Sequence, residues 1–151
     1  MPLVAALADD LAASGVEPSL DHGDLHGNNV LVGSGVDSIR VFDWGDAVIA
    51  HPFTTLATTL GSIAHHVGVD PYGPAVASVR DAYLAGWADL APASVLERAA
   101  AVAMDLGHIG KAAAWEQALQ GLEPDEMGGF HAATAVWLAD FVARLESRPS
   151  G

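Results

Sequence analysis

The stretch LDHGDLHGNNVLVGSGVDSIRVFDWGDA, residues 20–47, decides how the chain is read. Asp21, Asp24, Asn28, Asn29, Asp43 and Asp46 crowd into it, beside His22 and His26 and between apolar runs. Asn29-Val30-Leu31-Val32 and Ile39-Arg40-Val41-Phe42 are β-branched and aromatic, as short strands are. Between them, Gly33-Ser34-Gly35-Val36-Asp37-Ser38 is turn chemistry, so a hairpin is predicted. With the turn centred near residue 36, antiparallel pairing sets the Asn29 amide opposite the Asp43 carboxylate at the open end.

Two hard oxygen ligands with no sulfur nearby suit Mg²⁺, which keeps waters and takes its other ligands from substrate phosphates. Asp24 lies five residues before Asn29, in a glycine-containing loop that leads into the same strand. A base held there could orient a hydroxyl beside a metal-bound phosphate, the arrangement that in-line phosphoryl transfer needs. His22, Asp24 and His26 also spell His-x-Asp-x-His, a spacing that would serve a zinc-dependent hydrolase if the segment were a strand. Gly23 and Gly27 argue for a loop instead.

Outward from this stretch the chain turns helical. On the N-terminal side, residues 2–14 have helical composition with Leu3, Leu7 and Leu11 on one stripe, and Gly15 is placed to end the helix. Pro18 then forces an extended approach to Asp21. Downstream, helices are predicted over 53–67, 74–90, 93–122 with a break near Gly107 or Gly110, and 125–145. Trp87, Trp115, Trp137 and Phe141 fall at helical spacing as core anchors. His65 and His66 read as partly exposed helix residues, and Asp21 as a solvated residue or local cap. Residues 147–151 should fray. The expectation is one domain over residues 1–146, mostly α with a small β-hairpin, an α+β class. Its loop occupies 20–29, its metal segment 41–47 and its helical part 53–145.

The chain has 151 residues, 51% of them hydrophobic, which suits a globular domain with a real core. It has no cysteine, which removes disulfides and thiolate metal sites and agrees with a cytoplasmic address. A net charge of −13 argues against nucleic-acid binding. No Asp, Glu, Lys or Arg lies between Asp46 and Asp70, yet Pro52, three histidines and several threonines make this a buried helix rather than a membrane span. Met1-Pro2-Leu3 runs into Asp9 and Asp10 without the basic start of a secretory leader.

HGDLHGNN, residues 22–29, resembles the catalytic loop of the aminoglycoside phosphotransferase and choline kinase family, and the eukaryotic protein kinases carry a related loop. VFDWGDA, residues 41–47, resembles that family's metal-binding segment, and IGKAAAWEQALQGL, residues 109–122, is loosely similar to its helical tail. The resemblance implies an ATP- or GTP-dependent phosphotransferase acting on a hydroxyl of a small molecule, cationic substrates included. It implies Asp24 as the catalytic Asp that accepts or steers the hydroxyl proton. Asn29 and Asp43 would hold the Mg²⁺ that bridges the nucleotide phosphates. His22 would belong to the same nucleotide site as a structural member of the loop, hydrogen-bonded to backbone.

Several departures qualify these implications. Family members begin with a nucleotide-binding N-terminal lobe that carries a strand lysine. Here only about twenty residues precede the loop and the sole lysine, Lys111, lies far downstream. The resemblance is therefore to the C-terminal lobe of the protein-kinase-like fold, with the N-lobe absent, and such a chain alone should be weak or inactive. The alternative is a non-catalytic remnant that self-associates or binds a partner across the face the N-lobe would cover. Thr55 stands where relatives often place an Asp in DPxxDLA (here HPFTTLA), and Gly27-Asn28 replaces a common Pro-Gly. Both changes point to a less rigid loop.

Overall fold

The computed structural model describes residues 2–35 and 38–147. Among the described residues, four short strands form two nested antiparallel ladders. The outer pair joins β1 (Ser19–Asp21) to β4 (Val48–Ala50), with Asp21 facing Val48. The inner pair joins β2 (Val30–Val32) to β3 (Ile39–Val41). Because one ladder encloses the other in sequence, the connecting segments 22–29 and 42–47 both run between the same two ladders. This nesting brings the two polar motifs together.

The inner register corrects the predicted one. Val30 faces Val41 and Val32 faces Ile39, so the residue across from Asn29 is Phe42, whose N–H donates to the Asn29 carbonyl at 3.1 Å. Asp43 stands one position further on. The ladder continues into the loop in the same register: the Gly33 N–H reaches the Ser38 carbonyl at 3.4 Å, and the Ser38 N–H closes on the Gly35 carbonyl at 3.0 Å. The pairing is therefore centred between positions 35 and 36 rather than on 36, and that half-residue moves every partner by one.

The helices form the body. α1 (Pro2–Ala12) buries Leu7 and Leu11 and leaves Leu3 exposed. A 3-10 turn over Pro52–Thr54 leads into α2 (Thr55–Val67), followed by α3 (Pro74–Ala85), α4 (Ala93–Leu119) and α5 (Ala133–Glu146). Phe53, Leu56, Leu60, Leu96 and Met104 pack between α2 and α4, each worth about 1.5–3 kcal/mol of apolar burial. Small residues on α4, including the fully buried Ala100 and Ala103, let its neighbours approach closely.

α4 runs unbroken through Gly107 and Gly110. Gly107 is a contact point rather than a breaker, since a Cβ there would stand 2.8 Å from the Thr54 carbonyl oxygen and 2.9 Å from the Ala57 Cβ. α3 stops at Ala85, short of the predicted residue 90, where Gly86 begins a series of turns. α5 starts at Ala133 rather than near 125, because Gly128, with φ of 55°, and Gly129 break the pattern.

Trp87, Trp115 and Trp137 sit half-buried at the margins of the core. Trp87 is edge-on to Phe53, Trp115 stacks on Phe130, and Trp137 lies against His108. Phe141 is buried, and His65 and His66 are exposed. Of the predicted tail only Ser147 falls within the described residues. Among those residues no helix is long and apolar enough to cross a membrane.

Candidate active site

The loop after β1 is braced from behind. The buried Asp21 carboxylate accepts the Gly23 N–H on Oδ1 at 3.0 Å and the Thr54 hydroxyl on Oδ2 at 2.7 Å. The Thr59 hydroxyl donates to the Leu25 carbonyl at 2.8 Å. The loop is thus braced by Thr54, at the end of the 3-10 turn, and by Thr59 on α2. Thr55 itself has a buried hydroxyl without a partner among the described residues. Asp21 is therefore buried rather than solvated: its bond to the Gly23 N–H is the local cap expected of it, and its bond to Thr54 adds a long-range bridge. The signal in the sequence is the placement of Thr54 at the end of the 3-10 turn that leads into α2.

Gly23 is required where it stands. Its φ is 75°, and a Cβ would meet the Asp46 carbonyl oxygen at 2.1 Å. At Gly23 the backbones of the two motif segments touch.

His22 ties those segments together. Its Nδ1 accepts the Asp24 N–H at 3.3 Å, so Nε2 carries the proton and donates to the Phe42 carbonyl at 2.9 Å. The ring also packs against Trp44, with centroids 4.7 Å apart. Both nitrogens are spent on backbone, so His22, Asp24 and His26 do not converge as a ligand set. Among the described residues, no group of three or more His, Cys, Asp or Glu is placed to hold a metal ion.

Asn29 is buried, and its Nδ2 donates to the Asp24 carbonyl at 2.9 Å. That donation fixes the amide and leaves its Oδ1 as a free acceptor among the described residues. Asp43 adopts φ 62° and ψ 63°, which makes it the non-glycine residue with positive φ among those described. A left-handed aspartate costs about 1–2 kcal/mol and is a feature that clusters at functional sites. Its exposed carboxylate and the Asn29 Oδ1 are two hard oxygens, a donor set that fits Mg²⁺ with waters and phosphate completing it.

Asp24 carries the densest electrostatics. Lys111 Nζ donates to its Oδ1 at 2.9 Å, and His26, whose Nδ1 accepts the Asn28 N–H, donates through Nε2 to its Oδ2 at 3.2 Å. Burial pushes the carboxyl upward, but hydrogen bonding and charge from Lys111, aided by His26, outweigh it and hold Asp24 below the ordinary Asp value. Sequence reasoning alone does not bring Lys111 to the site. The available signal is its place one helical turn after Gly107, on the side of α4 that meets α2 and the loop. A cavity of about 180 Å³ opens beside it, lined by Gly23, Asp46, Thr55, Gly107 and Lys111 among others.

Asp24, Asn29 and His22 are thus joined by hydrogen bonds, and Asp43 adjoins the Phe42 that Asn29 and His22 both hold. Neither the curated proteins nor the solved structures include a match to the chain. The model of the phosphotransferase enzyme family, APH, matches residues 2–102, a span that contains Asp24, Asn29 and Asp43 and stops short of Lys111. With well over half of its length matched, the chain belongs to the phosphotransferase enzyme family.

Proposed function

We propose that the chain is the acceptor-binding, kinase-like C-terminal lobe of an enzyme that moves a phosphoryl group from ATP or GTP to a hydroxyl of a small molecule. The observation that carries this reading is the Asn29–Asp24 hydrogen bond beside the left-handed Asp43. Asp24 is the carboxylate that orients the acceptor hydroxyl and takes its proton. Asn29 Oδ1 and the Asp43 carboxylate would hold Mg²⁺. Magnesium there, when bound, supplies charge neutralisation at the nucleotide phosphates. His22 keeps the two segments in register.

The strands expose Leu20, Val32 and Ile49 at 62%, 73% and 73%. An apolar strand face of this kind supports cover by a second lobe, so nucleotide contacts are shared and this polypeptide alone turns over slowly. The same face also favours the reading of a self-associating module.

The test is transfer of label from γ-labelled ATP and GTP, with Mg²⁺, to a panel of amino sugars, choline-like amines and sugars. The expected result is slow transfer to at least one class, reduced about 100-fold or more in Asp24→Asn. Equal transfer by both proteins, or none by the wild type, contradicts the proposal.

A further inference from the structure

Lys111 is the only lysine in the chain, and it comes from the middle of α4, outside the segment that the family model matches. Its side chain is 11% exposed. The ammonium meets Asp24 Oδ1 at 2.9 Å, the Gly23 carbonyl at 3.3 Å and Asp46 Oδ2 at 3.4 Å. An ammonium has three protons, and here each has an acceptor. Drawing a lysine head out of water is costly, and charge-assisted hydrogen bonds of this kind offset it.

The contacts make the two oxygens of Asp24 different. Oδ1 faces Lys111. Oδ2 faces His26 at 3.2 Å and lies 3.5 Å from Asn29 Nδ2, on the side of the amide. A proton-accepting carboxylate works only if one lone pair is held in a fixed direction toward the acceptor.

We propose that Lys111 is a positioning residue for phosphoryl transfer: it anchors Asp24 through Oδ1, so that Oδ2, which accepts from His26 Nε2 on one lone pair, presents its other lone pair to the acceptor hydroxyl. This rests on the phosphotransferase reading of the site. In the step it serves, a bond forms between the acceptor oxygen and the γ-phosphorus. The bond from that phosphorus to the nucleoside diphosphate oxygen breaks, and the hydroxyl proton passes to Asp24 Oδ2.

The experiment compares the wild type with Lys111→Met and Lys111→Arg. Couplings of the Asp24 β-protons read its side-chain rotamer directly. One rotamer is expected in the wild type and in Lys111→Arg, and averaging in Lys111→Met. In turnover, Lys111→Met should lose roughly 10- to 100-fold in kcat with the KM for MgATP little changed, and Lys111→Arg should recover most of it.

Because the lysine is unique, its ammonium resonance can also be followed alone, which keeps the test open should Lys111→Met fail to fold. That resonance should be slow to exchange with water in the wild type and fast in Asp24→Asn. A fixed Asp24 rotamer in Lys111→Met, an unchanged kcat, or an ammonium indifferent to Asp24→Asn overturns the proposal. A wild type that binds no MgATP and phosphorylates no acceptor removes the phosphotransferase reading and the proposal with it. That failure is told apart from the others because Asp24 would still average in Lys111→Met.

Discussion

The His22 ring donates to the Phe42 carbonyl at 2.9 Å, and the Phe42 N–H donates to the Asn29 carbonyl at 3.1 Å. The residue before Asp43 is therefore held on both sides by the loop that carries Asp24. This clamp sets the spacing between the two motifs, since the strand register alone stops one residue short of Asp43. His22→Ala leaves the Phe42 carbonyl and the Asp24 N–H without these partners and removes the ring from Trp44. The expected cost is about 1–3 kcal/mol in chemical denaturation, with weaker nucleotide binding. An unchanged denaturation midpoint would show that the clamp carries no stability.

Gly23 gives a sharper steric test. Gly23→Ala places a methyl group on the Asp46 carbonyl and puts a β-carbon at a positive φ. A loss of about 2 kcal/mol or more is expected, with the loop displaced. Gly27→Ala is the control, because nothing lies within 4 Å of the place its methyl group would take. It should be neutral or up to about 1 kcal/mol stabilising. Equal effects at the two sites would contradict the close approach of the segments.

His51 predicts a pH dependence. Its Nδ1 accepts the Phe53 N–H at 3.2 Å, and burial pulls the ring down to about 4 from its ordinary 6.5. The unfolded chain takes up a proton near the ordinary value, while the folded chain refuses it until about 4. Stability is therefore fully present above pH 6.5 and falls as the pH drops toward 4, by up to about 3 kcal/mol from this group. His51→Asn keeps an acceptor for Phe53 and removes the titration. Its stability should fall less between pH 6.5 and 4, and an equal decline in both proteins would rule His51 out as the source.

Thr55 carries a buried hydroxyl with no partner among the described residues. Thr55→Val keeps the shape and removes the unsatisfied group, so a gain of about 1 kcal/mol is expected from thermal or chemical unfolding. A loss of stability would mean that the hydroxyl has a partner in solution.

The legible parts of the sequence are those governed by local chemistry. Turn residues and β-branched runs place the hairpin, and apolar periodicity with Pro52, Pro74 and Pro92 places the starts of α2, α3 and α4. The register escapes because the pairing is centred between positions 35 and 36 rather than on 36, a half-residue difference that composition does not encode. Gly107 looks like a helix break, yet it marks the point where α4 meets Thr54, a long-range contact that no local pattern shows. Lys111 and Asp21 escape for the same reason: their partners, Asp24 and Thr54, are 87 and 33 residues away.

Asn29 and Asp43 are proposed to form a magnesium-dependent nucleotide site beside Asp24. Isothermal titration of MgATP and MgGTP into the wild type and into Asp43→Ala tests it most directly. The account predicts heat with at least one nucleotide, dependent on Mg²⁺, and affinity reduced about tenfold or more by Asp43→Ala. No heat from the wild type, or identical heat from both proteins, would contradict it.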